Sequence, residues 1–215
     1  MRKEPQVFWD AIALLNLLKA ANEAGRADGN TKIQKMTFLS ELRGKEEGLR
    51  TAHYRFFRYT YGPYSPTLSR DVERLEELGF ITKSSRKLTK RGEFLVEYVS
   101  DAIRHSTSAV RAIDIIQEIA RTYARSNGTS LMNRVYGMTV QVHDLGGDLR
   151  KIRDVPMFLD ILDPECEPLN EVQPFGDELL QDLKAEFAIP PENLELSSQS
   201  FQQALTGALS GIAAR

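Results

Sequence analysis

Lys83, Arg86, Lys87, Lys90 and Arg91 fall within nine residues that contain no carboxylate. Cations at this density suit one kind of chemistry, the neutralising of phosphates along duplex DNA or in its minor groove. On a solvated hairpin the same side chains would be ordinary surface lysines and arginines, so both readings stay open. Just upstream, Thr67, Arg70 and Arg74 lie in a stretch that predicts a helix. Its first part, Ser65 to Arg70, is polar and free of carboxylates. Groove-reading helices contact bases through that end. The far end is acidic: Asp71, Glu73, Glu76 and Glu77 outnumber Arg70 and Arg74 by two. Thr67, Arg70 and Arg74, with Lys83, Arg86, Lys87 and Lys90, are therefore the candidate DNA contacts.

A second set is aromatic. Tyr54, Phe56, Phe57, Tyr59, Tyr61 and Tyr64 are interleaved with Arg55 and Arg58. Such a run can stack single-stranded bases, although most of these rings are expected to cover a small helical core. Tyr61, Gly62, Pro63 and Tyr64 form a candidate protein-binding corner. Gly and Pro set a tight turn there, and the tyrosines offer amphipathic anchors. Catalysis finds no support. His53, His105 and His143 are scattered, without metal-ligand spacing. Cys166 has no basic neighbour to lower its pKa. No phosphate-cradling loop or nucleophile elbow occurs. No catalytic residue, metal or cofactor is expected.

The elements that must position these residues read as a winged helix-turn-helix. Ser65 is an N-cap and Pro66 suits the first helical position. Leu68, Val72, Leu75 and Leu78 make one apolar stripe, and Gly79 ends the helix. Phe80-Ile81 and Lys87-Leu88 are the arms of a wing with its tip at Ser84–Arg86, and Thr89 caps a helix running to about Arg104. Upstream, Val7, Phe8, Ala11, Leu14, Leu15 and Leu18 mark an amphipathic helix ending before Gly25. Asp28–Thr31 is a turn that caps a second helix, with Ile33, Met36, Leu39 and Leu42 apolar and Gly44 at its close. A β insertion over 51–61 ends in a turn at Gly62–Pro63. Downstream, helices are predicted over 107–124 and 131–142, the latter capped by the Asn127–Ser130 break and stopped at Gly146-Gly147. Val155–Leu162 is a short strand or helix packing back on the body. Residues 163–176, with three prolines, read as a linker. Helices over 177–187 and 200–213 follow, separated by Pro190-Pro191. The fold class is mainly α, a winged helix-turn-helix with a small β-hairpin wing plus additional C-terminal helices. It divides into a winged-helix domain (1–105), a helical extension (106–153) and an acidic segment with short helices (154–215).

Two motifs in this order carry a resemblance. Residues 31–42, TKIQKMTFLSEL, precede by about twenty residues YTYGPYSPTLSRDVERLEELGFI. This resembles the Panacea (SocA-type) antitoxin family and its YwgA-like relatives, through Lys32, Gln34, Lys35 and Phe38, then Tyr61, Gly62 and Pro63. The resemblance covers roughly residues 7–105. It implies a non-enzymatic, winged-helix-like prokaryotic module that neutralises toxins, acts as an adaptor or regulates genes, often in defence loci. The helices beyond 106 and the acidic C-terminus depart from it.

Composition sets outer bounds. With 215 residues, 41% hydrophobic and 27% charged, the chain suits one or two soluble globular domains. No apolar run approaches a membrane span, the N-terminus lacks a signal peptide's apolar region, and the single cysteine excludes an internal disulfide. A cytoplasmic protein is expected. Residues 1–153 carry 26 Lys and Arg against 18 Asp and Glu, a net of +8, while residues 154–215 carry 2 against 12, a net of −10. Such a split suggests an interaction surface with an acidic appendage. That appendage would contact a partner, compete for the basic face, or merely solvate its own segment. A body truncated after Leu162 is expected to fold. Two functions follow: a regulator that binds DNA through its wing, or an antitoxin or adaptor that keeps the scaffold and binds a protein such as a toxin or defence protein. A dimer is compatible with either.

Overall fold

Helix α1, Glu4–Ala24, is surrounded on every side. Every residue from Phe8 to Leu18 is buried, Asp10 and Asn16 included. An amphipathic surface helix would keep one wet face; α1 has none over these turns, and the expectation of a single apolar stripe is corrected accordingly. The computed structural model describes residues 2–27, 29–166, 169–172 and 175–188. The helix expected over 200–213, the Pro190-Pro191 break and Asp28 of the first turn lie outside the described residues.

Helix α2, Asn30–Glu46, does not close at Gly44 but passes through it. A Cβ at Gly44 would stand 2.7 Å from the Leu49 carbonyl oxygen and 2.7 Å from Thr51 Cγ2. Glycine there permits the returning chain to cross close to the helix. Strands β1, Phe56–Tyr59, and β2, Gly62–Tyr64, form a hairpin with Tyr59 opposite Gly62. The turn is therefore Thr60-Tyr61 and not Gly62–Pro63. Gly62, at φ +92°, takes the left-handed position that follows such a turn.

Helix α3, Pro66–Glu77, is placed as its caps predict: Ser65 accepts from the Leu68 amide. At its end Gly79 has φ +71°, with Gly79 N–H donating to Glu76 O and Phe80 N–H to Leu75 O, a Schellman closure. Residues 80–89 double back through one bridge, Ile81 to Leu88. Thr89 then caps helix α4, Lys90–Ile103. Leu14, Leu18, Ile33, Leu39, Leu68, Val72 and Leu75 share one core. Phe94 is only half-buried and stacks on Tyr98.

Helix α5, Thr107–Tyr123, packs along α1 and α2. Its Ala109, Ala112, Ile113, Ile116 and Ala120 belong to the same core cluster as α1, and Gln117 donates to the buried Asn16 at 3.0 Å. Helix α6, Gly128–Tyr136, is capped by Asn127 but ends six residues earlier than the sequence suggests. Thr139–Val142 is strand β3, alternating exposed and buried, paired with β4, Asp148–Lys151. Gly146 and Gly147, both at positive φ, make the turn between them. Strand β5, Asp160–Leu162, adds antiparallel to β1, giving the order β2-β1-β5. The fold is thus mainly helical with small antiparallel sheets. No helix among the described residues is long and apolar enough to cross a membrane.

Helix α7, Asp177–Ala188, returns across the linker to the body. Leu183 is fully buried, and Phe187 meets Phe8 at 5.3 Å and Phe80 at 4.9 Å between ring centroids. The segment beyond Leu162, expected to be separable, supplies core residues. Phe187→Ala should cost about 3 kcal/mol and Leu75→Ala about 2–5 kcal/mol in urea unfolding. A loss under about half a kilocalorie at Phe187 would mean that α7 is not docked in solution.

Candidate functional site

The polar residues of the α2 motif turn inward. Lys32 Nζ donates to the Arg26 carbonyl at 2.5 Å and to that of Ala124. Gln34 pairs with Ser65 as a strand backbone would, donating to its carbonyl and accepting from its amide, both at 2.8 Å. Lys35 Nζ donates to Pro63 O at 2.7 Å. Opposite Arg58, Pro63 sits at a position alternate to the Tyr59–Gly62 closing pair, so its polar groups face away from β1. Proline has no N–H to leave unmatched, and its carbonyl is taken by Lys35. Side chains of α2 thus seal the outer edge of β2, where a free strand edge would otherwise invite pairing.

A cleft of about 120 Å³ opens beside this seam. Tyr59, Tyr61 and Tyr64 line it with Asn30, Gln34 and Lys35. Lys35 is only 2% exposed. Burial, reinforced by the nearby positive charge of Arg58, pushes its ammonium down to about 8. Arg58 lies over the Tyr136 ring at 4.9 Å and donates to the carbonyls of Ile152 and Tyr59. Among the described residues neither cation has a carboxylate partner.

Around the cleft the aromatic residues divide. Tyr54 and Phe56 are fully buried, as expected of a core strand. Phe57, Tyr59, Tyr64 and Phe158 instead form a connected face, with ring centroids 5.4–6.3 Å apart. Tyr61 (60% exposed) and Phe158 (67%) stand furthest into solvent. Phe158 has φ +69°, a conformation that costs a bulky residue about 1–3 kcal/mol. Its backbone amide donates to Arg58 O at 2.7 Å, tying it to the hairpin. Of the predicted corner, Tyr61, Gly62 and Tyr64 meet at the cleft, and Pro63 lies buried beneath. Lys35 and Phe158 are the additions that sequence does not supply as site residues.

The predicted DNA contacts are scattered in character. Lys83, Lys87 and Lys90 are exposed around the 80–89 turn, and Arg70 and Arg74 are exposed on α3, with Thr67 half-buried. Arg86 is not free: its guanidinium pairs with Glu76 at 3.3 Å and its carbonyl accepts from Asn22. Arg91 donates to Leu78 O at 2.6 Å, pairs with Glu186 at 2.9 Å and covers the Phe80 ring.

One further polar cluster lies inside. Asp10 accepts from the His53 amide at 2.8 Å, sits 2.9 Å from His53 Nδ1 and pairs with Arg2 at 2.6 Å. Arg2 continues to Asp71, which accepts from the Tyr54 hydroxyl. Burial pushes Tyr54 above its ordinary value and the Glu41 carboxyl well above its own. The bonds from Asp10 and Arg2 tie the N-terminus to α3 and to residues 53–54, which is a packing role. Among the described residues no group of three or more potential ligands is placed to hold a metal ion.

Comparison with known family models, curated proteins and solved structures finds no match.

The lowered Lys35 value sets a pH test. Below about 8 both folded and unfolded chains carry the charge, and the fold bears the full burial cost. Between about 8 and 10.5 the unfolded chain binds more protons, so stability rises with pH. Relative to Lys35→Met, the wild-type chain should gain up to about 3 kcal/mol over that interval in unfolding titrations. Parallel pH profiles for the two proteins would show that Lys35 is solvated.

Proposed function

We propose that this chain is a non-enzymatic protein-binding module of the antitoxin or adaptor type. Its partner, a toxin or other defence-associated protein, seats on the aromatic face of the β1–β2 hairpin. One observation carries the reading. Tyr59, Tyr61 and Phe158 are three of the six large apolar side chains that stand exposed among the described residues, and they gather at this one face, Tyr59 and Tyr61 lining the cleft and Phe158 packing on Tyr59. Scattered apolar residues need no explanation, but a contiguous aromatic patch marks an interaction surface. Aromatic residues dominate binding energy at such surfaces. The uncompensated charges of Lys35 and Arg58 beneath the rings favour an apolar partner surface that also carries acid.

The order of α3, the 80–89 turn and α4 follows that of a winged helix-turn-helix, which supports that scaffold and the resemblance to the Panacea antitoxins. DNA binding is the second reading. Exposed Lys83, Lys87, Lys90, Arg70 and Arg74 favour it, whereas Arg86 and Arg91 are engaged within the chain.

The test is complex formation with the product of the adjacent gene, using the full chain. Tyr61→Ala with Phe158→Asn should weaken it by at least about thirtyfold, the loss of one interface hot spot. Phe158→Asn alone should raise fold stability by about 1 kcal/mol, since Asn tolerates the left-handed conformation better. Unchanged affinity in the double variant would reject the aromatic face. For DNA, Lys83, Lys87 and Lys90 together replaced by Ala should lower the salt slope of duplex binding by about three. An unaltered slope would remove the turn as a phosphate contact.

A further inference from the structure

We infer that the cleft above Lys35 receives the carboxylate of an Asp or Glu side chain presented by the partner protein. The inference rests on the reading of the aromatic face as a protein interface and names the chemistry at its centre. Lys35 is buried, yet only one acceptor, Pro63 O, is assigned to its three N–H donors. Arg58 adds a second positive charge, and its own hydrogen bonds end on carbonyls. Asn30 and Thr31, at the start of α2, line the same cleft and bring the positive end of that helix to it. Two sources of positive potential, Lys35 and the start of α2, thus meet at the cleft, with Arg58 near enough to act on Lys35, and no described carboxylate answers them.

A buried cation without a counter-charge is costly, and an incoming acid that hydrogen-bonds it recovers that cost at the moment of binding. The space suits such a group. A single water needs roughly 10–15 Å³ by the same measure, so about 120 Å³ accepts several heavy atoms but no folded element. Tyr59 and Tyr61 stand beside the opening and would exclude water from the pair.

Random peptides displayed on phage and selected on the immobilised full-length chain test this. Enriched peptides should share an Asp or Glu flanked by apolar residues. Replacing that acid by its amide should weaken binding to the wild-type chain by at least about tenfold, the scale of a charged hydrogen bond. Lys35→Met should weaken it similarly, and the two changes together should cost little more than either alone. The peptide substitution needs no variant protein, so the test survives a poorly folded Lys35→Met. Enrichment of peptides without a shared acid, on a surface still sensitive to Tyr61→Ala, would overturn the carboxylate and leave the interface standing. Equal enrichment on the wild-type chain and on Tyr61→Ala with Phe158→Asn would overturn both. Displacement of the peptides by millimolar inorganic phosphate, with no preference for acid over amide, would make this a free-anion site and overturn the assignment to a protein side chain.

Discussion

Three polar side chains carried into the interior by one helix fix most of the junctions in this molecule. Lys32, Gln34 and Lys35 flank Ile33 and Met36, fully buried residues of α2, and are themselves buried. A buried polar group without a partner costs several kilocalories per mole. Each of the three therefore needs a backbone group near it. Lys32 finds carbonyls at the ends of α1 and α5, where accumulated helix dipoles favour a cation. Gln34 and Lys35 find the edge of β2 and the residue that caps α3. The α2 motif thus fixes the meeting of two helix ends, seals a strand edge and sets the start of α3. Replacing any of these side chains by an apolar one would leave backbone groups unsatisfied, not just open a cavity.

The charge split of the sequence has a different physical outcome from the one it suggests. Acidic residues beyond 153 do meet the basic body, through Arg55 with Asp160 and Asp163 and Arg91 with Glu186, while Lys184 pairs in the reverse sense with Glu4. Exposed pairs such as Arg55 with Asp160 contribute about 0–1 kcal/mol each, and the buried Arg91–Glu186 pair must first repay the desolvation of both charges. Burying Leu183 and Phe187 contributes roughly 1.5–3 kcal/mol each. The apolar face of α7 therefore holds it in place, and the ion pairs orient it. Two consequences fall on the basic turn after α3. Arg91 is taken into the structure, and an acidic helix packs against Phe80 and Arg91 at the base of that turn.

What was legible in the sequence was local. Ser65 and Thr89 cap helices as expected, because a cap involves residues only three positions apart, and the 127–130 break also caps a helix, though through Asn127 and three residues before the expected start. Gly79 stops α3 for the same reason. What was not legible depended on distant chain. Asp10 and Asn16 interrupt the apolar pattern of α1, and their partners His53 and Gln117 lie 43 and 101 residues away. An amphipathic stripe was therefore read where burial is complete. Thr139–Val142 is too short for periodicity to separate helix from strand; its pairing with β4 decides. The Tyr61–Tyr64 corner was visible as a type of sequence, but its turn lies two residues earlier, with Gly62 supplying the positive φ that follows it. Phe158 reaches the hairpin from a hundred residues downstream, and nothing near it in the chain announces that contact.

Three departures from ordinary protein design coincide at the hairpin. Lys35 is buried beside Arg58 without a carboxylate, Phe158 is held in a conformation that favours glycine, and Tyr61 and Phe158 stand in water. Each alone has an unremarkable reading. A buried lysine can serve only to bond a carbonyl, a strained residue can reflect a tight connection, and one exposed ring is common. Together they set a cost of several kilocalories per mole at one small face, whereas the other buried polar groups, such as Glu41 and Thr51, lie inside the body where no partner can reach them. Sequences keep local conflicts mainly where function compensates for them. A bound acidic, apolar partner would relieve two of these conflicts at once, by giving Lys35 a counter-charge and by removing the rings from water. At the basic turn Arg86 is also held at positive φ (+51°), but Lys83, Lys87 and Lys90 are already solvated and gain no comparable relief from burial. The distribution of cost over the surface, more than the distribution of charge, is what favours the protein partner.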